Sequence, residues 1–228
     1  MPTITAMRIA FFDVREYDRR SFDVANERFG HELVYFEARL REPTAALARG
    51  FPAVCPFVND RLDAPTLRAL HAGGTRLVAL RSAGYNNVDL AAAGRLGMRV
   101  VRVPEYSPWA VAEHAFALLL ALLRKIPRAV ARVREFNFSL EGLVGRDLHG
   151  MTLGLLGTGR IGHVAARIGS GFGMRVLAHD LRPDPALARE LDVAYVDLPR
   201  LYAESDVISL HVPLTPATEP IVGSEAIA

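Results

Sequence analysis

The sequence predicts an α/β protein made of two doubly wound parallel-sheet domains, the second of them incomplete. Three observations carry that reading. Short apolar runs alternate with helical patterns from Arg8 to Val103, which implies a parallel sheet with helices on both faces. A second series of such runs begins at Thr152, with a glycine-rich turn directly after its first member. Four runs follow Gly150, whereas a doubly wound sheet of order 3-2-1-4-5-6 has six.

The elements follow in order. Arg8 to Val14 is a strand, and Arg15 to Phe29 is a helix that Gly30 stops. Glu32 to Glu37 is a strand, followed by a short helix around Thr44 to Ala48. Ala53 to Val58 is a third strand, Pro65 to Ala72 a helix closed by Gly73-Gly74, and Leu77 to Arg81 a fourth strand. Val88 to Leu96 is a helix ended by Gly97. Arg99 to Val103 is the fifth strand and closes a first domain over residues 1–103.

Residues 104–228 form the second domain. Pro104 to Pro108 is a rigid connector, with Ser107 as an N-cap and Pro108 at the first helical position. The helix runs to about Lys125 and is apolar on most sides, so burial between domains or subunits is expected. The arginine-rich helix Arg128 to Phe136 reads as a solvated face, and Gly142 to Gly150 as a loop. Thr152 to Leu156 is a buried strand. Past the glycine turn, Ile161, Val164, Ala165 and Ile168 share one helix face, and the strand Met174 to Ala178 leads to Asp180. A loop bounded by Pro183 and Pro185 precedes the helix Ala186 to Leu191. Then come a strand at Val193 to Val196, a turn or two of helix at Leu198 to Glu204, and a strand at Asp206 to Val212. This last run is apolar enough for a central parallel strand buried on both faces. With no further strand beside it, it becomes an exposed apolar edge. Ser224 reads as an N-cap, and the sequence stops at Ala228, about one turn later.

Composition narrows the class. Half of the 228 residues are hydrophobic, and the formal net charge is +2, too small to argue for nucleic acid. The single cysteine, Cys55, excludes an internal disulfide and lies in an apolar run as a buried thiol. No signal peptide is visible, and the longest apolar stretch, Ala115 to Leu123, is far shorter than the ~20 residues of a membrane span. These features suit the cytoplasm. No histidine spacing suggests a metal site.

The chemistry sits in Gly157-Thr158-Gly159-Arg160-Ile161-Gly162. Gly157 allows a tight turn out of the strand, Gly159 lets a pyrophosphate approach the backbone, and Gly162 lets the helix pack closely. The helix start offers unpaired N–H groups and partial positive charge. Asp180 stands where a carboxylate accepts hydrogen bonds from a ribose diol and repels a 2′-phosphate, which favours NAD over NADP. Arg182 nearby softens that preference. The competing reading is a ligand-free glycine loop with Asp180 as a plain strand-end residue.

Further motifs carry a resemblance. Arg81-Ser82-Ala83-Gly84-Tyr85-Asn86-Asn87-Val88-Asp89, Val103 to Pro108, Ala112-Glu113-His114, Gly157 to Gly162, Gly171-Phe172-Gly173-Met174 and Ser209 to Thr215 together resemble the NAD-dependent D-2-hydroxyacid dehydrogenases, most closely their D-lactate branch. The resemblance spans nearly the whole chain. It implies a flavodoxin-like substrate domain followed by a Rossmann NAD-binding domain. It also implies hydride transfer between nicotinamide and a small 2-keto or 2-hydroxy acid held between them. It places Ser82, Ala83 and Gly84 at the substrate carboxylate, and Tyr106 in the substrate pocket. It places the backbone of Arg160 and Ile161 at the pyrophosphate, and His211, Val212, Pro213 and Thr218 beside the cofactor.

The resemblance also implies a catalytic arginine, glutamate and histidine, which in the family follow the region where this sequence stops. None has a counterpart here, so no catalytic residue is assigned, and the chain alone is expected to bind NAD weakly and turn over negligibly. The alternative is an NAD(H)-binding sensor or corepressor-like module without turnover. A homodimer is open, with the apolar helix from Ser107 as a contributor. From the residues alone, Tyr106 reads equally as an amphipathic side chain packed at a domain junction. His211 is the best stand-in for a missing acid/base, and is read instead as a positional residue beside the cofactor. His114 and Glu113 are adjacent on a helix and point apart. His149 lies in a loop, and His31, His71, His163 and His179 read as surface or capping residues.

Overall fold

The computed structural model describes residues 6–215, 218–219 and 221–227. The chain divides between Tyr106 and Ser107 into two compact units. Ala228, where the sequence stops, lies outside the described residues.

The first unit holds β1 (Arg8–Phe11), β2 (Glu32–Tyr35), β3 (Ala53–Cys55), β4 (Leu77–Leu80) and β5 (Arg99–Arg102). They pair in parallel in the order β2-β1-β3-β4-β5. That is the flavodoxin-like order. Helices α1 (Glu16–Asn26), α2 (Ala64–Ala72) and α3 (Leu90–Arg95) and a 3₁₀ stretch (Glu42–Ala48) fill the crossovers. Asp63 and Asp89 cap α2 and α3 by accepting from the N–H groups of Thr66 and Ala92 at 3.1 and 2.8 Å. The core gathers Phe12, Leu40, Leu62, Leu67 and Leu70, each fully buried. Burial of each such side chain contributes about 1.5–3 kcal/mol. β1 is shorter than the apolar run predicts because Asp13 adopts φ +46°, which breaks the ladder before Val14.

The second unit holds β6 (Thr152–Leu156), β7 (Arg175–His179), β8 (Ala194–Tyr195) and β9 (Val207–Leu210), parallel in the order β8-β7-β6-β9. In chain order this is 3-2-1-4, the first four strands of the dinucleotide-binding arrangement. Helices α4 (Pro108–Leu123), α5 (Ile126–Arg134), α6 (Arg160–Gly171), α7 (Pro185–Leu191), α8 (Leu198–Glu204) and α9 (Ser224–Ile227) accompany it. Every residue of β6 is buried. Val164, Ala165 and Ala166 of α6 and Phe116 of α4 join Leu153 and Leu155 in its core.

Helix α4 is capped by Ser107 as read, accepting from Ala110 N–H at 3.2 Å. Within its own unit Ala112 and Phe116 are buried, while Leu118 and Leu122 are 59% and 67% exposed. No residue of α5 is buried. Its arginines also bond the chain that follows: Arg128 donates to Gly142 O at 3.2 Å, and Arg132 to Ser139 O at 3.1 Å, so they clamp the loop onto the helix. The run Asp206 to Val212 yields the short, exposed edge strand expected of it. Among the described residues β9 pairs with β6 alone, and its side chains are half-buried to exposed.

Candidate functional site

The site is built where β6 ends. Gly157 turns with φ +92° and donates its N–H to His179 O at 2.9 Å, while His211 N–H bonds Leu156 O at 2.7 Å. The glycine turn is thus held from both neighbouring strands. A Cβ on Gly157 would lie 2.8 Å from the His211 carbonyl oxygen. One on Gly162 would lie 2.1 Å from the Gly157 carbonyl oxygen, so α6 starts in direct backbone contact with the turn. Gly159 is the N-cap of α6, and a Cβ there would meet nothing within 4 Å. The start of a twelve-residue helix, its positive end, thus has open space beside Gly159.

Asp180 follows β7 and reaches back to the turn. Its Oδ2 accepts from Thr158 N–H at 2.7 Å and from the Thr158 hydroxyl at 3.1 Å. Its Oδ1 accepts from Arg182 N–H at 2.8 Å. Burial pushes the carboxyl up, but these hydrogen bonds together outweigh it and hold it below the ordinary aspartate range. The carboxylate is therefore ionised at neutral pH.

A cavity of about 460 Å³ opens at this point, between the ends of β6, β7 and β9. Gly157, Gly159, Asp180, His211, Val212, Pro213 and Thr218 line it. Its size falls within the range of small-molecule sites, and it sits at the carboxyl ends of the strands where the order reverses. His211 is pushed below the usual histidine range by burial, and its Nε2 lies 3.0 Å from Ser209 Oγ. A desolvated ring kept neutral suits a wall better than a proton shuttle. The Thr218 hydroxyl is engaged by Pro213 O at 2.7 Å and Thr215 N–H at 2.8 Å, so it staples the loop. Thr158, Arg160, Ile161 and Gly162 stand behind the lining, in the turn and the first turn of α6.

The substrate-side candidates belong to the other unit. Ser82, Ala83 and Gly84 form the loop after β4. The buried Ser82 hydroxyl donates to Gly84 O at 2.8 Å, and Arg102 donates to Ala83 O at 3.0 Å. Nothing lies within 4 Å of a Cβ on Gly84, so the backbone there is open to a ligand. Tyr106 is 61% exposed at the end of the first unit.

Two features escaped the sequence reading. His179, read as a surface or capping residue, is half-buried and lines the cavity, with Nδ1 3.0 Å from Val196 O. Arg81 is buried at the end of β4. It donates to the carbonyl oxygens of Cys55, Phe12 and Asp13 at 2.9–3.1 Å and faces Asp18 at 3.6 Å. It ties the ends of β1, β3 and β4 together directly before the Ser82 loop. A charged residue closing an apolar run was the available signal.

Comparison with known proteins decides the family. Residues 116–228 match the family model described as the NAD-binding domain of D-isomer specific 2-hydroxyacid dehydrogenases. The chain is 52% identical over 223 residues to 2-hydroxyacid dehydrogenase homolog 1 of Schizosaccharomyces pombe, covering 97% of this chain and 67% of that protein. This chain belongs to the D-isomer specific 2-hydroxyacid dehydrogenase family. It is also 51% identical to the D-lactate dehydrogenase of Escherichia coli over 220 residues, 96% of this chain and 67% of that one. The apo-structure of D-lactate dehydrogenase from Escherichia coli superposes with a TM-score of 0.87, covering 96% of this chain and 69% of that one. The D-lactate dehydrogenase from Aquifex aeolicus, solved with NAD and lactic acid, is 34% identical with a TM-score of 0.82, over 96% of this chain and 65% of that one. As a member of the family, the chain is an NAD-type oxidoreductase by descent. Among the described residues no helix is long and apolar enough to cross a membrane, and no cluster of three His, Cys, Asp or Glu side chains offers a metal site.

Proposed function

We propose that the second unit, from Ser107 on, holds NAD(H) in the cavity at the end of β6, and that the first, up to Tyr106, presents the Ser82-Ala83-Gly84 backbone and the Tyr106 hydroxyl to a pyruvate-like 2-keto acid. The bound nicotinamide supplies or takes the hydride. The observation that carries the reading is the triangle of open Gly159, the start of α6 and ionised Asp180 around one cavity. The backbone at Arg160 and Ile161 holds the pyrophosphate, and Asp180 holds the adenosine ribose. Val212 and Pro213 wall the crevice against water, with His211 and Thr218 framing the same loop. The substrate class follows from the relatives, several of which are D-lactate dehydrogenases. Titration of the purified chain with NADH, followed by nicotinamide fluorescence, tests the core of the reading. Saturable binding, weaker for NADPH, is expected. Absence of saturable NADH binding overturns it.

A homodimer is part of the same proposal. Leu118 and Leu122 of α4 and Ile126, Val130 and Val133 of α5 are 45–67% exposed, and Phe136, Phe138, Leu140 and Val144 beyond them 72–87%. Monomeric proteins rarely leave so many large apolar side chains in water along one pair of elements. Light scattering at micromolar concentration is expected to give twice the chain mass, and the monomer mass for Leu122→Glu. We place the protein in the cytoplasm, where its one buried, unpaired cysteine stays reduced.

A further inference from the structure

Asp180 does not stand alone. Behind it runs a chain of hydrogen bonds whose direction can be read from the donor inventory. The Asp184 N–H donates to the Tyr195 hydroxyl oxygen at 3.0 Å. A backbone amide only donates, so Tyr195 accepts there. Its one proton then goes to Thr158 Oγ1, 3.0 Å away. With that lone pair occupied, the Thr158 hydroxyl points its own proton at Asp180 Oδ2, 3.1 Å away. The ionised carboxylate is acceptor-only and ends the chain. Every link runs one way, from Asp184 through Tyr195 and Thr158 to Asp180.

The relay spans elements that are distant in sequence. Tyr195 lies on the outer strand β8, Thr158 in the glycine turn, and Asp184 is the N-cap of α7, its side chain engaged by Ala186 N–H at 2.8 Å. Thr158 is buried and Tyr195 half-buried. The consequence falls on Asp180. Each carboxylate oxygen offers about two lone-pair sites. Oδ2 has both occupied by Thr158, and Oδ1 has one occupied by Arg182 N–H. What remains for a ligand is one site on Oδ1, at a fixed orientation, on the wall of the cavity.

We propose that Tyr195, acting through Thr158, is a positioning residue for cofactor choice: it holds Asp180 so that one oxygen meets a ribose hydroxyl and the fixed charge excludes a 2′-phosphate. This rests on the NAD(H) reading above and adds to it the device that sets selectivity. Without the Tyr195 hydroxyl, Thr158 can turn its proton away. Asp180 then keeps its backbone donors at Thr158 and Arg182 but loses the hydroxyl bond that completes its aim, while its charge is retained. A neutral ribose hydroxyl needs that aim and a 2′-phosphate suffers from it, so the two cofactors respond oppositely.

The test compares the Kd of NADH and of NADPH for the native chain, Tyr195→Phe, Thr158→Val and Thr158→Ser, with thermal melting of each. In Tyr195→Phe and Thr158→Val, NADH binding is expected to weaken by about fivefold, the value of one hydrogen bond, while NADPH binding holds or tightens. The ratio of the two constants therefore falls. Thr158→Ser keeps the hydroxyl and is expected to keep the native ratio. A merely structural role would weaken both cofactors together and leave the ratio unchanged, and that result overturns the proposal. A native ratio in Thr158→Val overturns it equally. Failure of the native chain to bind either cofactor sinks the NAD(H) reading itself, and the relay falls with it.

Discussion

Gly162→Ala is the sharpest perturbation of the glycine turn. The added Cβ would stand 2.1 Å from the Gly157 carbonyl oxygen, where ordinary contact begins at 3.4 Å. The deficit is about 1.3 Å, and the obstacle is backbone that no rotamer change can clear. The start of α6 must lift, at about 1–3 kcal/mol for an overpacked contact. For a unit of this size that lowers the melting temperature by roughly 4–12 °C. The lift also withdraws N–H groups from a pyrophosphate. Each such charged hydrogen bond contributes about 1.5–3 kcal/mol, so the Kd for NADH rises roughly ten- to a hundredfold. Gly159→Ala is the control. Its Cβ meets nothing within 4 Å, and its φ of −60° suits any residue, so stability should change little. NADH binding should still fall, because the methyl occupies the space the ligand needs. Calorimetry and NADH titration read both effects. An unchanged melting temperature in Gly162→Ala refutes the close-approach argument. Undiminished NADH binding in Gly159→Ala refutes the placement of the pyrophosphate.

Other outcomes follow from the first unit and from the two aspartates. Arg81→Met removes the cation facing the buried Asp18 carboxylate, which keeps only the Arg15 N–H, and the donors to the Phe12 and Asp13 carbonyl oxygens, so urea denaturation should show a loss of about 3 kcal/mol. Asp60 and Asp180 should titrate with opposite sign. Burial raises Asp60 above 3.8 against its hydrogen bonds from Phe57 and Leu40, so the folded state holds its proton more tightly, and its contribution to stability declines as pH rises from about that value. Asp180 is lowered, so its contribution is present above 3.8 and is lost as pH falls through its lower folded value. Stability measured against pH for Asp60→Asn and Asp180→Asn should show each slope removed. Cys55 is pushed up to about 11 by burial, which outweighs the nearby Arg81 guanidinium. Its thiol should resist a disulfide reagent at pH 8 in the native chain and react at once in urea.

The order of strands and helices was legible because apolar period and glycine punctuation report backbone directly. Gly30, Gly97 and Gly157 all turn with positive φ where the chain was read to turn. Strand ends were less legible. Asp13 closes β1 with a positive φ, a backbone conformation that an apolar pattern does not announce. What covers the rest of α4 is less legible for a related reason. A helix apolar on every side shows that it needs partners, but not how many this chain provides.

The site divides along the same line. Gly157, Gly159, Gly162 and Asp180 were readable because each answers a local demand of turn, approach, packing or charge. Tyr195 and Arg81 were not, because they act at distance. Tyr195 is 37 residues from the hydroxyl it orients, and Arg81 is 69 residues from the carbonyl of Phe12 that it grips. A local motif can specify where a phosphate rests. How firmly the neighbouring carboxylate is aimed depends on a buried polar chain, and such a chain stabilises only when every member is satisfied. The relay from Asp184 to Asp180 meets that condition at each link, so its weakest point is its middle. Loss of the Tyr195 hydroxyl leaves an unpaired amide on one side and an undirected hydroxyl on the other. Selectivity for the cofactor should therefore be more sensitive to that one oxygen than the stability of the fold is.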